Sequence, residues 1–136
     1  RAARGPDLTP YHVEAAIAAH HAEARSLEET NWQAIAALYD TLMNLQPSPI
    51  VALNRAIALA QLEGPERGLE EIGAIENRGR LDTYPFYSAA LGELELRCGR
   101  RTAAWGHFRT ALSLARNPME RRFLDQRLSA AAGAAT

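Results

Sequence analysis

Five of the seven prolines in this chain, Pro10, Pro49, Pro65, Pro85 and Pro118, fit the first position of a helix. Proline lacks the N–H that a first-turn residue leaves unpaired anyway, and its fixed φ suits a helix start. Thr9, Ser48, Gly64 and Asn117 stand directly before four of them and are N-capping residue types; Asn117 with Glu120 three residues on makes a capping-box-like pair. Thr30 with Gln33 marks a further start. Reading from each start to the next breaker predicts helices over residues 10–26, 31–45, 49–62, 65–77, 85–98, 101–116 and 118–131, with no strand. Residue usage points the same way: 27 Ala and no Lys, with Val13, Val51 and six Ile as the β-branched aliphatics, favour helix throughout.

The first helices of successive pairs begin at Pro10, Pro49 and Pro85, spacings of 39 and 36 residues, which predicts a helical-hairpin repeat. The expected fold is all-α, an α-α superhelix of about seven helices. Hairpins over about 10–45, 49–77 and 85–116 precede a capping helix over 118–131, in one domain spanning 1–136. In the third hairpin, Leu91, Gly92, Gly99, Ala104, Phe108, Ala111 and Leu114 occupy the small and large positions by which tetratricopeptide (TPR) hairpins nest, and the resemblance to TPR is good. Gly92 and Ala104 are expected to let two backbones approach while Phe108 and Leu91 fill the space between this hairpin and its neighbours. Tyr39, Leu42 and Leu45 repeat part of the pattern, followed by Pro47; the middle unit offers Ala56, Leu59, Gly68, Ile72 and Ile75. In the cap, Phe123, Leu124 and Leu128 are expected to share the apolar face, with Arg on the other.

A more specific series is also present: Thr30-Asn31-Trp32, Ile35 to Asp40, Pro47 to Ala56, Gly64-Pro65, Gly68-Leu69 and Arg121-Arg122-Phe123-Leu124. From Tyr11 to Leu128 the chain resembles the C-terminal TPR-like extension of certain bacterial ECF sigma factors, small sigma-70-type initiation factors, with Tyr84-Pro85 standing where that family has Tyr-His. The resemblance implies a regulatory domain that binds its own sigma regions, the RNA polymerase core or a signalling partner. DNA contact would then fall to promoter-binding domains outside this sequence. The chain does not begin with Met and lacks a hydrophobic signal core, so it is expected to be a piece of a longer cytoplasmic protein. No apolar run reaches the ~20 residues of a membrane span.

Charge is unevenly spread. Residues 14–95 carry 13 acids against 5 Arg, whereas residues 97–128 carry 8 Arg against Glu120 and Asp125. Arg116, Arg121, Arg122 and Arg127 therefore make a candidate basic surface, whose alternative fate is pairing with acids of earlier helices. TPR arrays bind partners through the face lined by the first helix of each pair. Asn54 falls there, where a peptide clamp places an Asn, but Phe86 and Ala90 stand where such a clamp has cations, so a terminal carboxylate is not the expected ligand. Arg55 beside it is a second candidate partner contact or an inter-helical residue. Trp105 is either a hairpin seal or a partner anchor, and Trp32 is expected to pack on the first helix.

His20 with Glu23, at i and i+3, offers two potential metal ligands, too few for a site, so no metal and no cofactor is expected; His20 remains a candidate surface contact that titrates near neutrality. The lone Cys98 excludes an internal disulfide and a cysteine-built zinc site. No nucleophile motif, phosphate loop or paired-acid constellation is present, and the chain is expected not to be an enzyme. Two alternatives to the sigma-factor role stay open: a free-standing TPR adaptor or oligomerisation domain, and an Arg-rich extension that contacts nucleic acid directly.

Overall fold

In the computed structural model, which describes residues 12–17 and 30–133, the helices that start at Trp32, Pro49, Pro65, Pro85 and Pro118 begin where a side chain or a proline removes the cost of an unpaired first turn. Helix α1 covers residues 12–17. Helix α2 (Trp32–Leu45) is capped by Asn31, whose Oδ1 accepts the Ala34 N–H at 3.1 Å, so the cap lies one residue later than the expected Thr30. Helix α3 (Pro49–Glu63) starts under Ser48, whose Oγ accepts the Val51 N–H at 3.0 Å. Gly64, at φ 104°, both closes α3 and opens α4 (Pro65–Gly73), a backbone angle that only glycine adopts without strain.

Helix α4 ends four residues before the expected 77. The Ala74 N–H reaches back to the Glu70 carbonyl, and Asn77 turns left-handed at φ 59°, a region that Asn tolerates better than most residues. A short 3₁₀ turn, Arg78–Leu81, follows and drives Leu81 into the core. Helix α5 (Pro85–Arg97) starts on extended Tyr84 and ends in a Schellman motif: Gly99 at φ 82° donates to Leu96, and Arg100 donates to the Glu95 carbonyl, both at 2.9 Å. Helix α6 (Arg101–Ser113) stops three residues short of the expected 116, and α7 (Pro118–Gly133) starts where Asn117 Oδ1 accepts the Glu120 N–H at 2.8 Å. The reciprocal arm of that capping box is absent, because Glu120 accepts the Arg116 N–H instead.

The described residues form seven α-helices and no strand, and none of these helices is long and apolar enough to cross a membrane. Each of α2 to α7 packs chiefly on its neighbours in the chain, most extensively α5 on α6. Three buried clusters run along the array. The first is built on Val13, Ile17, Ile35 and Leu42, with Trp32 packed against it; the second on Leu53, Ala56, Ile72, Leu81 and Leu94; the third on Ala104, Phe108, Ala111, Leu124 and Ala131.

Two glycines set the spacing between helices. A Cβ on Gly92 of α5 would stand 2.7 Å from the Phe108 ring of α6, and one on Gly68 of α4 would stand 2.6 Å from Ala60 Cβ of α3. Phe108 is fully buried and lies flat against the bare backbone that Gly92 offers. The capping helix departs from expectation at one residue: Leu124 is buried, but Phe123 is 47% exposed. Consecutive helical positions are about 100° apart, so a face centred on Leu124, Leu128 and Ala131 pushes Phe123 to its edge.

The Gly92 contact makes a specific prediction. Gly92→Ala is expected to cost about 1–3 kcal/mol through overpacking against Phe108. Gly106→Ala, at an exposed α6 position with open space around the added Cβ, is expected to add about 0.5–1 kcal/mol. Urea unfolding of both variants checks the opposite signs.

Candidate functional site: the groove between α3, α5 and α7

Helices α3, α5 and α7 each turn one stripe of residues toward a common groove. Asn54, Ile57 and Gln61 are spaced three and four apart on α3; Phe86, Ala89, Ala90, Glu93 and Arg97 follow the same periodicity on α5; Phe123 closes the far wall from α7. The groove measures about 730 Å³. It runs on into a smaller, almost wholly apolar hollow of about 330 Å³ between Pro85, Phe86, Met119 and Phe123. Phe86, Met119 and Phe123 are exposed here, and Tyr84 supports Phe86 edge-on with ring centroids 5.4 Å apart.

The charges around the groove are unequally satisfied. Glu93 is held by Arg127, whose Nη2 donates to Oε1 at 2.8 Å and whose Nε donates to Oε2; the same guanidinium lies 5.9 Å from the centre of the Phe108 ring. Arg116 lies 5.7 Å from the centre of the Phe86 ring and donates to Glu120 at 2.8 Å. The Arg116 guanidinium, and then its backbone N–H, hold the Glu120 carboxyl below the usual carboxylate range. Arg97, exposed at the end of α5, has no ion-pair partner among the described residues.

The residues singled out in the sequence do not converge on one place. Asn54 lies in the groove, with no hydrogen bond from its amide among the described residues. Arg55 points elsewhere. It bridges Asp40 of α2 at 2.5 Å and Glu71 of α4 at 3.0 Å, beside a hollow of about 400 Å³ on another face, and hydrogen bonding to Asp40 raises its pKa further. Arg55 is thus an inter-helical tie. Trp105 sits on α6, which contributes nothing to the groove; it is partly exposed, with the Arg109 guanidinium 5.0 Å from its ring centre. His20 lies outside the described residues.

The candidate basic surface divides. Arg116 and Arg127 are engaged by Glu120 and Glu93, whereas Arg121 and Arg122 are exposed and form no ion pair among the described residues. Of the four Arg of the candidate basic surface, Arg116 and Arg127 thus take the alternative fate of pairing with acids, because the helix packing brings Glu93 of α5 within reach of α7 and Glu120 lies one turn beyond Arg116. The sequence reading missed Ile57, Gln61, Arg97, Met119 and Phe123 as groove residues. Their signal was the pairing of i, i+4 apolar residues on α7 with the open stripe of α5. Among the described residues, no group of three or more His, Cys, Asp or Glu is placed to hold a metal ion.

The chain is similar to an uncharacterized protein of Rhizobium meliloti (strain 1021), with 41% identity over 119 residues. Those residues cover 88% of this chain but 28% of that relative, so the chain spans less than a third of the relative's length. No family model and no solved structure matches the chain.

Two predictions follow from the ion pairs. Arg127→Ala loses both the Glu93 pair and the contact with Phe108 and is expected to cost about 1 kcal/mol, whereas Arg122→Ala is expected to stay within about 0.5 kcal/mol of the parent; thermal and urea melts separate them. The lowered pKa of Glu120 contributes stability that is complete above the ordinary glutamate range, about 4.3, and is lost as pH falls through the lower folded value. Glu120→Gln is therefore expected to be less stable than the parent at pH 7, with the gap closing toward pH 3 in urea midpoints measured across that interval.

Proposed function

We propose that this chain is a TPR-like, non-catalytic protein-interaction domain that serves as the regulatory extension of a cytoplasmic ECF-type sigma factor. The observation that carries the interaction role is the groove: the first helix of each successive pair, α3 and α5, together with the cap α7, lines one channel that mixes polar residues such as Asn54 with large apolar ones such as Phe86. TPR arrays meet partners on the corresponding face, formed by the first helices of their pairs. Three further features support the TPR-like superhelix: neighbour-to-neighbour packing, Gly92 against Phe108, and Gly68 against Ala60.

The sigma-factor role rests on the resemblance carried by the segment from Pro47 to Ala56 and by Arg121 to Leu124. A similar protein more than three times as long leaves room for promoter-binding domains in the same polypeptide. The partners would then be the sigma regions or the polymerase core, with DNA contacted by those other domains. A free-standing adaptor or oligomerisation domain is the second reading, favoured by how self-contained the three buried clusters are.

In vitro transcription with the longer Rhizobium meliloti relative, with its truncation lacking the matching 119 residues, and with the truncation plus this chain in trans decides between them. The expected result is a change of transcript yield on truncation that the added chain reverses. Equal yields in all three reactions would overturn the sigma-factor role and leave the adaptor.

A further inference from the structure

The groove keeps one kind of charge unanswered. Glu93 in its wall is neutralised by Arg127, Asn54 and Gln61 are uncharged, and Arg97 stands free at one end. Along the groove and its apolar hollow lie Phe86, Met119 and Phe123, which are 41%, 76% and 47% exposed. Three large apolar side chains gathered at one channel are more than the scattered exposure ordinary on a monomer surface, and aromatic anchors beside Arg are the residue types that dominate binding energy.

We infer that this groove takes an acidic peptide segment of a partner protein, whose apolar side chains seat on Phe86, Met119 and Phe123 while a carboxylate pairs with Arg97. The inference rests on the protein-interaction reading and adds the chemistry of the partner. Charge complementarity selects the occupant. A second copy docked groove to groove would offer Arg97 no free carboxylate from the groove, since Glu93 is taken by Arg127 and Glu120 by Arg116. A nucleic acid would meet one free cation and three apolar side chains, a poor match to a phosphate backbone.

Selection from a random-peptide display library on the immobilised full chain tests the inference. The best synthetic peptide is then measured by fluorescence anisotropy against the parent chain, Arg97→Glu, Phe123→Ser and, as a control outside the groove, Arg109→Glu. Circular dichroism confirms that each variant is folded. The expected result is enrichment of Asp or Glu beside aromatic and aliphatic residues, with affinity lost on the order of tenfold or more in Arg97→Glu and Phe123→Ser and kept in Arg109→Glu. Selection on Arg97→Glu should in turn favour Lys or Arg.

Peptides without acids that still require Phe123 would overturn the acidic partner and leave the interaction domain standing. Binding indifferent to Phe123 would overturn the groove as its seat, and failure to enrich any peptide would remove both. Sedimentation of the parent as a dimer that Phe123→Ser dissociates would assign the groove to a second copy and overturn the inference.

Discussion

The flat contact between the Phe108 ring and the backbone at Gly92 is the constraint on which the rest depends. A ring this large is excluded from water only if the facing helix brings no side chain to the same place, and Gly92 supplies that absence. The two helices are thereby drawn close, and Ala104 and Ala111, both fully buried, continue the seam along α6. Gly68 against Ala60 repeats the solution one pair earlier. Small residues at helix crossings fix the distance between axes, and the large neighbours then fill what remains.

Close packing between chain neighbours has a consequence for the open face. Because α5 is pulled against α6 and α6 against α7, the outer stripes of α5 and α7 stand on either side of a channel, with α3 as a third wall. Arg127 pins that geometry. Its fork spans from α7 to Glu93 of α5 while its plane covers Phe108, so one side chain ties the cap to the hairpin and removes an acid from the channel. Arg55 plays the corresponding part nearer the other end, joining Asp40, Glu71 and its own helix.

Much of this was legible in the residues alone, and the reasons differ by element. Helix starts at Pro49, Pro65, Pro85 and Pro118 could be read because capping is a local matter of three or four residues. That Gly92 lets two backbones approach could be read because hairpin nesting needs small residues at fixed spacing, whereas Phe108, expected between hairpins, also seats on Gly92 within its own. The 3₁₀ turn at Arg78–Leu81 could not, since Gly73, Asn77 and Gly79 weaken the helix without saying where it stops. Phe123 was misplaced because adjacent apolar residues leave the centre of a helical face ambiguous until the neighbouring helix is known.

The fate of the arginines was the least legible. Arg127 and Glu93 are 34 residues apart, and only the register of α7 on α5 brings them together; nothing local separates Arg127 from the free Arg122. The same register places Arg97, Met119 and Phe123 around one channel. Hydrogen exchange followed by NMR, amide by amide, tests most directly whether the α5–α6 seam holds this arrangement. The amides of α5 and α6 around Gly92 and Phe108 should exchange slowest of all, with opening free energies equal to that of global unfolding. Faster exchange there through local opening, while α3 and α4 stay protected, would show that the seam is not what the fold depends on.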